Sequence, residues 1–224
     1  MHPCPGSDPG GCRFSATLTG MGARQPTTPR EAPARATTVV GFYAALLLGG
    51  FFWHAISQDS NDIWRLDPGQ GWLALLLTPL WGVGFGLVTV QVFRALELRM
   101  RWLSELHGEF QGMFGRPQPR ELFLLAAASA LGEEVLFRGA MMDTWGLWVS
   151  SAVFALLHIP RRRALWPWTM SSFVLGLALG LMTELTGNLG AAVAAHFTIN
   201  LLNMAYITRN RPRVHVERVQ PPSA

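Results

Sequence analysis

Three short runs hold the residues able to do chemistry: Glu133-Glu134-Val135-Leu136-Phe137-Arg138, Phe154-Ala155-Leu156-Leu157-His158 and His196-Phe197-Thr198-Ile199-Asn200. They set two carboxylates, a guanidinium, two imidazoles and an amide inside strongly apolar stretches. At the centre of a bilayer such groups cost about 2.5 to 3.5 kcal/mol each even on a lenient insertion scale, so they mark function. On a helix, residues four apart share a face. Glu134 and Arg138 therefore stack as an ion pair, while Glu133, turned by about 100°, stays free to take a proton. The same spacing pairs Phe154 with His158, and His196 with Asn200. A base for water and donors for a developing oxyanion are what peptide-bond hydrolysis requires.

The residue types leave two versions of that chemistry open. Glu133, His158 and His196 could supply zinc with a His₂Glu set and one open position for water. Without metal, Glu133 in a low-dielectric pocket serves as the base, His158 orients the water or the leaving group, and His196 with Asn200 donates to the oxyanion. The metal-free version, with no cofactor, is the preferred one.

Half of the 224 residues are hydrophobic. They cluster into six segments, 39–56, 71–93, 121–142, 145–159, 166–186 and 188–207, near the roughly 20 helical residues that cross a bilayer core. A mean hydropathy of only +0.24 reflects dilution by polar ends. Residues 94–116 carry charged and apolar residues at helical spacing, as either a helix on the cytoplasmic membrane surface or an extension of the second span. The pairs Gly82/Gly86 and Gly176/Gly180 suit close helix packing. The fold expected is an all-α polytopic membrane helix bundle.

All 18 basic residues are arginine, which suggests a GC-rich, bacterial coding sequence. Four arginines precede the first span, five lie between spans two and three, three between four and five, and four follow the last. One side of the membrane thus carries nearly all of them, and both termini are expected in the cytoplasm of a bacterial inner membrane. This distribution explains the net charge of +4 as topology, with no nucleic-acid partner. Cys4 and Cys12 lie in a Pro/Gly-rich tail where Met21 is an alternative start, and they are expected to be free thiols.

Depth constrains the site. Glu133 and His196 each lie thirteen residues from a flanking arginine, Arg120 and Arg209, or about 20 Å. His158 is only three residues from Arg161. Straight full spans cannot join them, so span four is expected to end inside the bilayer before Pro160 and to line a cavity open to the cytoplasm.

In this order, E-E-x-x-x-R, F-x-x-x-H and H-x-x-x-N resemble the CPBP family, the CAAX-processing and bacteriocin-processing intramembrane proteases also called the ABI family. The resemblance implies an endopeptidase domain over 38–208 with its motif-bearing core at 119–207, while the Pro-, Gly-, Thr- and Arg-rich composition of 1–37 is read as a disordered tail and the arginine pattern makes 209–224 a cytoplasmic tail. It implies that Glu133 activates water, His158 assists, and His196 with Asn200 holds the oxyanion, with Glu134, Arg138 and Phe154 in support. The implied partners are the lipid bilayer and a membrane-associated or lipid-modified protein or peptide substrate. The family has been described both as metallo and as glutamate-type, so zinc stays open. Bacterial members are linked to peptide maturation, immunity and sorting-signal processing, which makes prenyl-protein processing the less favoured native task.

Two other classes fit the same residues: a proton-coupled transporter relaying protons through Glu133, His158 and His196, and a catalytically silent member that binds membrane peptides. His54, His107, His2 and His215 are expected at interfaces or in solvent, Glu184 at the outer interface, and Asn203 in a structural role.

Overall fold

A computed structural model of the chain describes residues 31–58, 62–65, 67, 69–114 and 117–212, with side chains from Thr37 onward. The tails, except for 31–37 and 209–212, lie outside the described residues, and so do Cys4, Cys12, Met21, His2 and His215. The helices are α1 (Glu31–Gln58), α2 (Trp72–Glu97), α3 (Arg101–Phe114), α4 (Pro119–Glu134), α5 (Met142–Leu156), α6 (Trp166–Thr186) and α7 (Gly190–Arg209). A π-helical turn, Val135–Met141, joins α4 to α5. Among the described residues there is no strand, only an isolated bridge from Arg65 to Asn188.

Four helical stretches are long and apolar enough to cross a membrane: Thr37–Gln58, Trp72–Glu97, Arg163–Thr186 and Gly190–Arg209. Their outer faces expose Phe42, Phe52, Leu80, Trp81 and Val174. A continuous apolar exterior of that kind belongs against lipid.

The other two expected segments depart from plain spans. α4 starts on a capping box in which Glu121 and Gln118 satisfy each other's backbone N–H, with Pro119 in the first turn, where its missing N–H costs nothing. The helix then widens into the π turn at the first motif. α5 is broken at Gly146, whose φ of 80° suits glycine alone. Its regular part is ten residues, 147–156, or about 15 Å. His158 therefore lies on the turn beyond α5 and not on the helix expected over 145–159. Pro160 explains the stop, because it lacks an N–H and disfavours helical backbone at the residue before it.

Small residues set the helix contacts. A methyl on Gly82 would run into the Ala191 carbonyl, and one on Gly86 would sit 2.8 Å from Thr198 Cβ, so both glycines seat α7 against α2. Gly176 and Gly180 receive α5 at Ser151 and Leu147. Both pairs pack as expected.

At one end of the bundle lie the C-termini of α2 and α7, the start of α6, and α3. A turn at Leu98–Met100 separates α3 from α2, so residues 94–116 are not one extended span. His107, expected in solvent, is buried: Nδ1 lies 2.8 Å from Glu97 Oε1 and Nε2 3.1 Å from the Asn210 carbonyl. Its helix buries Leu103, Ser104 and His107 on one face, and burial follows that face. Gln111 also donates to the Ile207 carbonyl (2.8 Å), and Arg162 bridges to Glu109 (3.0 Å).

At the opposite end the loop after α1 folds onto the α6–α7 corner. Gly187 closes α6 with φ 68°. The fully buried Asn188 accepts from Thr78 (2.9 Å) and the Gly190 N–H (2.8 Å) and donates to Gln70 (2.6 Å). Beneath it, Ile63, Val135, Ala140 and Leu189 form an apolar cluster.

Candidate active site

In the π turn, carbonyls released from the regular i to i+4 ladder must find other donors. Ser150 Oγ donates to the Phe137 carbonyl (2.7 Å), and His54 Nδ1 donates to that of Gly139 (2.9 Å). His54, expected at the outer interface, is thus buried because it pins this turn. Its ring also lies 3.6 Å from Asp143.

The turn carries Arg138 into the protein interior, 1% exposed. Arg138 Nη1 donates to Glu134 Oε1 (2.8 Å) and Nη2 to the Gly176 carbonyl (3.1 Å). The expected Glu134–Arg138 pair is therefore present, and it does more than neutralise a charge. The same Glu134 Oε1 accepts from His196 Nδ1 at 2.7 Å. Glu134 thereby orients the imidazole of α7, which spacing within one motif could not show.

Glu133 faces another way, as the 100° turn requires. One of its oxygens, Oε2, is buried without a hydrogen-bond partner and lies 3.8 Å from His196 Nε2. Tyr43 of α1 lines the cavity beside Glu133 and interacts with its carboxylate. Sequence reasoning missed Tyr43, although a tyrosine in an apolar span needs a polar partner. Gly132 makes the contact feasible, since a Cβ there would lie 2.6 Å from the Tyr43 carbonyl. Gly132→Ala is accordingly expected to force α1 and α4 apart, costing about 1 to 3 kcal/mol. A thermal or denaturant midpoint equal to wild type would refute this.

Phe154 is the hub of the second motif. Its ring lies 4.5 Å from that of His158 and 6.3 Å from that of His196, and Arg138 Cζ sits over it at 4.6 Å. His158 Nδ1 donates to the Phe154 carbonyl (2.7 Å), leaving Nε2 available. Asn200 donates one amide hydrogen to Ser129 Oγ (2.9 Å), a second residue the motifs did not flag. Glu133, His158, His196 and Asn200 all line one cavity of about 400 Å³, together with Tyr43 and Ser129. Glu184 is exposed and outside it, while Asn203 is on its wall.

Among the described residues, no three His, Cys, Asp or Glu side chains gather as a metal site.

The helix bundle thus brings two buried carboxylates of α4 to the His196 imidazole of α7, with His158 on the wall of the same cavity. Residues 117–202 match the Rce1-like family, type II CAAX prenyl endopeptidase. The chain is also 30% identical over 193 residues to the uncharacterized protein YpbD of Bacillus subtilis (strain 168), covering 81% of this chain and 94% of that relative. No solved structure matches. The chain belongs to the CPBP family of CAAX-type intramembrane proteases.

Proposed function

We propose that the protein is an endopeptidase that cuts a membrane-associated or lipid-modified protein or peptide by metal-free general-base catalysis at Glu133. The observation behind this reading is the contrast between neighbouring carboxylates. Glu134 is held through Oε1 by Arg138 and His196, and although each carboxylate keeps a buried Oε2 without a partner, Glu133 is the one of the two that lines the cavity. Of the two, Glu133 is placed to take a proton from water in the cavity.

In this reading water attacks the scissile carbonyl carbon while Glu133 takes its proton, and the C=O electron pair moves onto oxygen. His196 Nε2 and the second Asn200 amide hydrogen donate to that oxyanion. To donate through Nε2 while bonded to Glu134 through Nδ1, His196 must carry both protons, and the charges on Glu133, Glu134, Arg138 and His196 then sum to zero. His158, through Nε2, holds the water. Collapse of the tetrahedral intermediate breaks the C–N bond, and the proton on Glu133 passes to the leaving amine. The arginine pattern orients the α3 end toward the cytoplasm, so water and substrate enter from that side.

The test offers detergent-solubilised protein a panel of lipid-anchored peptides and reads products by mass spectrometry. A new peptide terminus is expected, unaffected by chelator. Asn200→Ala is expected to slow its appearance by about 10² to 10³, the worth of one oxyanion donor. Intact peptides throughout would reject hydrolysis, and loss under chelation that zinc restores would reject the metal-free step.

A further inference from the structure

Among the described residues that line the cavity, Arg94 is the one arginine. It lies on the last turn of α2 and lines the same cavity as Glu133 and His196. Its Cζ sits 5.0 Å from the centroid of the Tyr206 ring, and its Nε is buried without a hydrogen-bond partner. Glu97, one turn further on, is engaged by His107 at 2.8 Å, so the nearest carboxylate on the same helix is already taken. Phe93, Leu103 and Met204 add apolar surface to the same cavity wall. A buried N–H in such surroundings is costly unless something accepts from it.

We propose that Arg94 anchors a carboxylate of the bound peptide and so sets where the chain is cut; this rests on the proteolytic reading above. A planar guanidinium matches a carboxylate with two parallel N–H···O bonds, and the Tyr206 ring beneath holds its plane. Tyr206 is ten residues beyond His196 on α7, about 15 Å along the helix. An extended peptide covers that length in about four to five residues at 3.3 Å each. The carboxylate therefore belongs about four to five residues from the scissile bond, as either the free C-terminus or an acidic side chain.

The test uses the full chain in phosphatidylcholine nanodiscs and three N-palmitoylated apolar octapeptides: a free acid, its C-terminal amide, and that amide with Glu at its last position. Binding is measured on the Glu133→Gln form, which does not turn the peptide over, and cleavage on wild type. The free acid is expected to bind about tenfold or more tightly than the plain amide, the worth of a charge-assisted hydrogen bond. If the Glu peptide binds like the acid, a side-chain carboxylate serves; if it binds like the amide, the terminus does. Adding Arg94→Gln should bring the acid-to-amide ratio to about one, and Arg94→Lys should leave it intermediate. A ratio near one before that change, or an undiminished ratio after it, overturns the proposal. So does the absence of acid preference combined with Arg94-dependent binding of phosphatidylglycerol, which would make the occupant a lipid headgroup. Acid preference without any cleavage would sink the hydrolase reading alone, and cleavage without acid preference the anchor alone.

Discussion

Glu133→Gln is expected to lower peptide-bond hydrolysis by about 10² to 10⁴, the usual worth of a positioned base. The substitution keeps the shape of the side chain and an oxygen for Tyr43, so the fold should survive. What disappears is the proton acceptor, and no neighbour can replace it. Glu134 is 0% exposed and holds both Arg138 and His196 through Oε1, so protonating its unpartnered Oε2 would remove the charge that assists both bonds at once. The measurement is the initial rate of product formation beside the thermal midpoint of the same preparation. Wild-type turnover in the variant would mean that water is activated elsewhere, whereas a collapsed midpoint would mean that Glu133 is structural.

Arg138→Met should cost about 3 to 5 kcal/mol of stability, because it leaves a buried carboxylate without its main counter-charge. Arg138 also donates to the Gly176 carbonyl and covers Phe154, so α4, α5 and α6 all lose a tie. Glu134→Gln added to Arg138→Met should recover part of the loss, since the stranded charge is then gone. Hydrolysis should not recover, because an amide at 134 no longer holds His196 as an ionised acceptor does. Denaturant midpoints of the single and double variants check this. A double variant as unstable as the single would assign the cost to lost packing instead.

The sequence made the chemistry legible through i to i+4 spacing within each motif. Glu134 meets Arg138 because helical geometry determines that contact locally, and the rings of Phe154 and His158 still lie 4.5 Å apart although His158 has passed onto the turn beyond the helix. Contacts between helices left no such mark. Tyr43 on Glu133, Ser129 on Asn200 and Glu134 on His196 depend on how α1, α4 and α7 are rotated, which periodicity in an almost wholly apolar helix does not encode. The short fourth segment was foreseeable from depth alone, since His158 is so near Arg161. The π turn was not, and neither was the burial of His54 and His107, because a lone histidine near a helix end carries no signal of whether a carbonyl or a carboxylate awaits it. The separation of α3 from α2 rests on a turn at Leu98–Met100 that contains no glycine or proline, and so gave no punctuation to read.

The knot around Asn188 has a consequence for the cell. Every described residue on the cavity wall lies level with Glu133 and His196 or toward α3, and beyond them Ile63, Val135 and Leu189 pack shut beneath the Asn188 hydrogen bonds. On that side the described residues close the hollow with apolar packing. A membrane can therefore keep titratable groups deep within it without short-circuiting its own proton gradient, and loosening that plug, for instance at Asn188, would turn a quiet protein into a leak.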